Sequence, residues 1–205
     1  MIKNIFFDYG RTVVGHPADE AGIEIAKSAG VKDYVDAVTL RDIAFSVGDY
    51  LNFLDEGSMD RDEYRKAITD AAPDHLKKFA VSVGDYHIEK LPVLDGMEDL
   101  LKKLKKDGYR IFITSNISLY HAEQMKDVPI VKYFDGCVFS SVIKTRKPYS
   151  AFFEKALEMC NAKAEETLFI DDLEENVAGA QKCGIRGFVF KGDAKAAEEF
   201  IYSFN

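Results

Sequence analysis

The sequence predicts an α/β fold in which a parallel sheet is covered by helices on both faces. Five short apolar runs are spread along the chain of 205 residues, and stretches with helical spacing separate most of them. Nearly every run ends in polar residues, as strands do where a sheet meets a loop. Alternating strands and helices favour right-handed crossovers and a parallel sheet, because each helix carries the chain back to the starting edge.

Each apolar run has the length of a buried strand. The five are Ile2–Phe7, Tyr109–Thr114, Gly136–Phe139, Thr167–Ile170 and Arg186–Phe190. They are mostly apolar without strict alternation, which is typical of strands buried on both faces of a parallel sheet.

Helical patterns fill the intervals after the first strand. Met97, Leu100, Leu101 and Leu104 recur at helical spacing among lysines. Apolar positions repeat in the same way from Phe152 to Cys160 and from Val177 to Cys183, where Gly184 is a plausible helix stop.

The stretch from residue 16 to residue 90 has a different character. It has few strand-like runs, and helical spacing recurs over Ala18–Ala29, Val35–Phe45 and Met59–Ala72. We therefore predict a helical insertion after the first strand, with residues 1–15 and 91–205 forming the α/β domain.

Composition narrows the classes of partner. The net charge is −8 and the isoelectric point about 5.1, which disfavours binding to nucleic acid or to an anionic membrane. The three cysteines, Cys137, Cys160 and Cys183, show no pairing motif and suit a reducing compartment. With no signal-peptide pattern and no apolar run of about 20 residues, we expect a cytoplasmic location.

The strand ends carry the residues suited to chemistry. Asp8, Ser115-Asn116 and Asp171-Asp172 each follow a predicted strand, and Lys147 lies in the loop after another. Ligands of open parallel sheets bind at the carboxyl ends of the strands, so these groups are expected on one rim. Taken singly, each has an ordinary alternative as a helix cap or loop residue.

The order and spacing of these residues resemble the haloacid dehalogenase superfamily. Ile5–Thr12 resembles its first motif, an apolar strand followed by Asp-x-Asp-x-Thr/Val, and Ile111–Asn116 resembles the second. Arg146-Lys147-Pro148 resembles the third, and Leu168–Asn176 the fourth. The resemblance covers nearly the whole chain and is specific at superfamily level.

The resemblance implies a Rossmann-like sheet of order 5-4-1-2-3 and a helical cap at residues 16–90. It implies Asp8 as nucleophile, with Ser115, Asn116 and Lys147 binding the phosphoryl group. It also implies Mg²⁺ held by Asp8 and Asp172.

The reaction implied is hydrolysis of a small phosphorylated metabolite, such as a sugar phosphate, through an aspartyl-phosphate. Magnesium removes the repulsion between the anionic ester and Asp8, and its preference for oxygen ligands is met by Asp8, Asp172, the backbone carbonyl of Gly10 and water. Whether the protein acts as a monomer or a homodimer stays open.

One position departs from the family pattern. Phosphatases of the family usually carry an aspartate two residues after the nucleophile, as the acid and base, and Gly10 stands there. General acid–base help is worth about 10²- to 10⁴-fold, so we expect slow turnover or another donor. The candidates for that proton donor are Arg11, His16 and residues of the cap. Asp171 and Asn176 are further accessory candidates, with Asn176 orienting Asp172 or contacting metal-bound water.

Two other functions remain open from the sequence. A 2-haloacid dehalogenase uses the same nucleophile without metal, although the Asp171-Asp172 pair favours metal. A member that binds a phosphorylated ligand without turnover is the second alternative, although Asp8, Ser115, Lys147 and Asp172 are all present.

Overall fold

A computed structural model describes residues 1–16, 19–46, 55–84 and 91–204. Its centre is a sheet of five parallel strands in the order β3-β2-β1-β4-β5. The strands are β1 (Asn4–Phe7), β2 (Arg110–Ser115), β3 (Gly136–Phe139), β4 (Thr167–Asp171) and β5 (Arg186–Val189). The predicted parallel sheet and its order, read from the opposite edge, are confirmed.

Both faces of the sheet are covered because successive residues of each strand point to opposite sides. Phe7 and Ile113 belong to one buried cluster, while Phe6 and Phe112 belong to another on the other face. All four residues of β1 are buried, which explains why three of them, Ile5, Phe6 and Phe7, are apolar.

In the α/β part, one helix precedes β2, and one or two helices follow each of the strands β2 to β5. They are α5 (Met97–Lys106), α6 (Leu119–Gln124), α7 (Ser140–Ile143), α8 (Ser150–Met159), α9 (Glu174–Lys182) and α10 (Ala194–Tyr202). Gly184, two residues after α9, has φ +80°, so its predicted role as the stop of that helix is confirmed.

Four helices of the insertion lie within the described residues. They are α1 (Glu20–Ser28), α2 (Tyr34–Ser46), α3 (Arg61–Ala71) and α4 (Lys77–Gly84). Ile23, Leu40, Tyr64 and Leu76 contribute to a third buried cluster, whose members all come from this insertion. The three predicted helices lie at the expected places, and α4 is an addition.

The chain leaves and rejoins the α/β part at one point. Val14 and Val93 form an antiparallel bridge. The Gly15 amide donates to the Pro92 carbonyl at 2.8 Å, and the Leu94 amide donates to Val13 at 3.0 Å. The two connecting segments are thus held together beside Asp8, at the carboxyl end of β1.

Three thiols at Cys137, Cys160 and Cys183 are free. Among the described residues, no helix is both long and apolar enough to cross a membrane.

Candidate active site

A buried lysine joins two aspartates at the carboxyl ends of neighbouring strands. Asp8 continues β1, because its amide donates to the Ile170 carbonyl of β4 at 2.8 Å. Lys147 Nζ donates to Asp8 Oδ1 at 2.6 Å and to Asp171 Oδ2 at 2.7 Å. The side chains of Lys147 and Asp171 are 1% and 0% exposed, so this is a desolvated charge cluster. Two carboxylates share one ammonium group there.

Burial and the neighbouring charges shift the pKa values of Asp8 and Lys147. Burial raises the pKa of Asp8 to about 7, against the attraction of Lys147 and with the repulsion of Asp171. Burial alone lowers the pKa of Lys147, but Asp171 and Asp8 outweigh it, and the net shift is upward. Lys147 is therefore charged, whereas Asp8 without a metal exchanges its proton near neutral pH because the lysine only partly offsets the cost of burying its charge.

The backbone of Lys147 is held by Asn116. The Lys147 amide donates to Asn116 Oδ1 at 2.9 Å, and Asn116 Nδ2 donates to the Lys147 carbonyl at 3.0 Å. The sequence predicts a phosphate contact for Asn116, whereas here both polar atoms of its side chain position the lysine.

Asp171 is saturated with hydrogen bonds from the protein. Its Oδ1 accepts from the Leu173 amide at 2.8 Å, and Asn176 Nδ2 lies 3.0 Å and 3.1 Å from its two oxygens. With Lys147 on Oδ2, both oxygens are engaged. Asn176 therefore orients Asp171, where the sequence suggested Asp172.

Asp172 offers the freer carboxylate of the pair. No other residue in the described ranges donates a hydrogen bond to it. Burial and Asp171 raise its pKa, against the attraction of Arg11. One carboxylate oxygen from each of Asp8, Asp171 and Asp172 lies within 4.8 Å of the others. An all-oxygen cluster of this kind, short of positive charge, suits a hard divalent cation.

Ser115 ends β2, next to Asp8 on the neighbouring strand. It is buried, and among the residues that the structure describes its hydroxyl has only a long contact, 3.4 Å to the Asn116 carbonyl. The hydroxyl is therefore weakly engaged by the protein and suited to donate to a ligand.

The space beside Gly10 is occupied by His16. A Cβ atom added at Gly10 would lie 2.8 Å from Cδ2 of the His16 ring. Burial, and secondarily the charge of Arg11, lower the pKa of His16 to about 4, so the ring is neutral at pH 7. Arg11 is itself engaged, since it donates two hydrogen bonds of 2.8 Å to Asp19.

Two charged residues near the site were missed by sequence reasoning. Asp55 and Glu56 of the insertion lie against the loop of Lys147, and Arg146 Nε donates to Glu56 Oε1 at 3.0 Å. Asp55 feels the charges of Arg146, Lys147 and Asp8. No motif signals this contact, because it joins residues about 90 positions apart.

Comparison with known proteins identifies the family. A family profile described as "Haloacid dehalogenase-like hydrolase" matches residues 18–190, which is most of the chain. The matched range begins after Asp8 and includes Ser115, Lys147 and Asp172.

Curated relatives include three named phosphatases. A glyceraldehyde 3-phosphate phosphatase of Methanocaldococcus jannaschii is 26% identical over 99% of this chain and 91% of its own length. The sesquiterpene phosphatase astK of Aspergillus oryzae is 35% identical over 44% of this chain and 47% of its own. A pyrophosphatase PpaX of Bacillus mycoides is 29% identical over 50% of this chain and 48% of its own. The chain thus matches about half the length of the last two.

Solved structures share the fold. A HAD family enzyme from Bacteroides thetaiotaomicron, in complex with magnesium and inorganic phosphate, superposes with a TM-score of 0.70 at 23% identity, covering 94% of this chain and 96% of that one. A dehalogenase superposes with a TM-score of 0.71 at 17% identity, covering 100% and 97%.

Proposed function

The chain belongs to the haloacid dehalogenase-like hydrolase family, and on that premise we propose that it is a magnesium-dependent phosphatase of a small phosphate ester. The observation that carries the proposal is the buried Lys147, which joins Asp8 to Asp171 beside the freer carboxylate of Asp172. A nucleophilic carboxylate, a fixed cation and an all-oxygen metal site are the parts that phosphoryl transfer needs. The M. jannaschii phosphatase, alignable over nearly all of both chains, supports the same reaction class.

The residues present fit magnesium. Carboxylate oxygens of Asp8, Asp171 and Asp172 lie within 4.8 Å of one another, and Mg²⁺ prefers hard oxygen ligands of this kind. Because both oxygens of Asp171 are engaged, Asp8 and Asp172 would be the carboxylate ligands, and the Gly10 carbonyl would be the third group from the protein. Mg²⁺ held there would supply positive charge against the phosphoryl group and Asp8.

Each residue of the site has a separate role in the reaction. A carboxylate oxygen of Asp8 attacks phosphorus, and the bond to the leaving oxygen breaks, giving an aspartyl-phosphate that water hydrolyses. Lys147 places a positive charge beside the transferring group, and Ser115 donates a hydrogen bond to one of its oxygens. Asn116 and Asn176 position Lys147 and Asp171.

We propose that residues 16–90 form a cap over this site and that residues 1–15 and 91–205 form the core. The insertion has its own buried cluster, and its connecting segments meet beside Asp8 at Val14 and Val93. Contacts from the cap then select the substrate, which we propose to be a small phosphorylated metabolite such as a sugar phosphate.

Asp8→Asn tests the nucleophile and the metal together. It preserves the shape of the side chain but removes the charge that attacks phosphorus, so release of phosphate should fall by about 10³-fold or more. The measurement is phosphate release from an activated aryl phosphate, with Mg²⁺ and with EDTA, beside a circular dichroism spectrum.

Asp172→Asn serves as the metal control. It should raise the Mg²⁺ concentration needed for half-maximal rate while leaving Asp8 in place. A wild-type rate of phosphate release that EDTA does not lower would overturn the metal assignment. Full activity of Asp8→Asn would refute the nucleophile.

A further inference from the structure

The segment Asp55–Gly57 of the insertion is fastened to the core beside Lys147. Ser140 Oγ donates to the Asp55 carbonyl at 2.6 Å, and Lys144 Nζ donates to the Gly57 carbonyl at 2.9 Å. Between them, Glu56 pairs with Arg146 at 3.0 Å. Three consecutive residues are thus bound by the core segment that leads into the lysine of the site.

The same contacts continue into the groups that hold Lys147. Ser140 Oγ, which donates to Asp55, accepts from the Ile117 amide at 2.9 Å. Ile117 directly follows Asn116, whose side chain brackets the Lys147 backbone. The position of Asp55 is therefore fixed relative to the lysine through a short chain of hydrogen bonds.

The carboxyl group of Asp55 has no hydrogen-bond partner among the described residues. It is partly buried, and the charges that act on it are Arg146, Lys147, Glu56 and Asp8. Burial raises its pKa to about 7, with Arg146 and Lys147 opposing the shift and Glu56 and Asp8 adding to it. An unengaged carboxyl that holds a proton near neutrality, on a segment fastened beside Lys147, is suited to proton transfer.

We propose that Asp55 is the general acid and base of the phosphatase reaction, in place of the carboxyl that Gly10 lacks. The inference rests on the proposed function. As oxygen of Asp8 bonds to phosphorus and the ester P–O bond breaks, the proton of the Asp55 carboxyl passes to the leaving oxygen. The resulting Asp55 carboxylate then takes a proton from water as that water attacks phosphorus, and the bond between phosphorus and Asp8 breaks. Both residues return to their starting states.

Asp55→Asn separates the two proton transfers. With an alkyl or sugar phosphate, both steps need Asp55, so kcat should fall by about 10²-fold or more. With an activated aryl phosphate, the first step needs no proton. The variant should release the aryl alcohol in a burst stoichiometric with enzyme, at near the wild-type rate, followed by slow turnover.

The pH profile gives a second readout. The wild-type kcat/KM for an alkyl phosphate should fall as pH rises above about 7, because Asp55 then loses the proton that it donates. Asp55→Asn should lack this decline. In Asp55→Ala, added formate should restore the slow turnover, since formate can replace the missing carboxylate as base.

Asp70→Asn is the matched control. It makes the same change on an exposed carboxylate of the insertion, one paired with Lys66 at the surface, and should leave both phases unchanged. Thermal melts of all variants report folding. Equal slowing of burst and turnover by Asp55→Asn, or wild-type turnover in that variant, would overturn the role of Asp55. A wild type without Asp8-dependent phosphate release would instead refute the proposed function, and the inference with it.

Discussion

At the scale of single residues, Gly10 and His16 form a matched pair. The chain turns sharply after Asp8, and the His16 ring fills the place where a side chain at position 10 would begin. Gly10 is thus explained by packing as well as by its place in the motif. An acid cannot be restored at position 10 unless the imidazole moves.

Gly10→Asp should therefore destabilise the protein. Its Cβ would lie 2.8 Å from His16 Cδ2, closer than side-chain atoms pack. Overpacking of this kind costs about 1–3 kcal/mol, and the thermal transition should fall accordingly. The measurement is a melt of the single variant and of Gly10→Asp combined with His16→Ala.

The double variant is the control for this clash. Without the ring, the added carboxyl has room, so Gly10→Asp should cost little in the His16→Ala background. An equal loss of stability in both backgrounds would show that the ring is not the obstacle.

At the scale of elements, α3 connects the insertion to the core through its first turn. Asp60 accepts hydrogen bonds from the amides of Asp62 and Glu63, each at 2.9 Å, and the Asp60 amide donates to the Glu63 carboxylate at 3.1 Å. Arg61, the first residue of α3, lies over the Tyr120 ring of α6 at 3.6 Å. The hydrogen bonds of Asp60 at the N-terminus of α3 therefore hold Arg61 where it stacks on a core residue.

Asp60→Ala should weaken that end of α3. Loss of a side-chain cap costs about 0.5–2 kcal/mol, which a thermal melt resolves. Asp60→Asn keeps a capping oxygen and should cost much less. If the two variants melt alike, the charge of Asp60 rather than its hydrogen bonds stabilises the helix.

The elements also show how far the sequence predicts the structure. The strands were predictable because each is a short, mostly apolar run, and the central strands β1, β2 and β4 are buried on both faces. Their order followed from the family resemblance. Helix α4 was not predicted, because Val81, Val83 and Gly84 lower its helix propensity. Packing of Leu76 and Ala80 in the insertion's cluster overrides that propensity.

The site was predictable only where the chain places its groups at strand ends. Asp8 and Asp171 follow from that rule. The role of Asn116 did not, because a side chain that holds a backbone segment leaves no mark in local sequence. The place of Asp55 was even harder to predict, because its closeness to Lys147 depends on how the insertion packs against the core.

At the scale of the whole molecule, the site adds to a net negative charge. The protein carries −8, and three carboxylates gather around one buried lysine. Folding must therefore bury negative charge that the protein alone does not neutralise. This cost makes the free energy of unfolding depend on pH, separately from any pH dependence of the activity.

Without metal, the wild type should lose stability relative to Asp8→Asn as pH rises. The pKa of Asp8 is raised from 3.8 to about 7 on folding. Between these values the folded state holds more protons than the unfolded state, so the free energy of unfolding falls with rising pH. An asparagine at position 8 has no such proton. In EDTA, the two proteins should melt at similar temperatures near pH 4, and the variant should melt higher near pH 8.

The melting temperatures of the wild type and Asp8→Asn show which force acts most strongly on Asp8. If burial and repulsion from Asp171 prevail, removing its charge relieves the folded state at high pH. If attraction to Lys147 prevails, the pKa of Asp8 is lowered on folding, and Asp8→Asn should melt below the wild type at pH 8. That outcome would contradict the raised pKa, and it would mean that the lysine alone stabilises the ionised nucleophile before any metal binds.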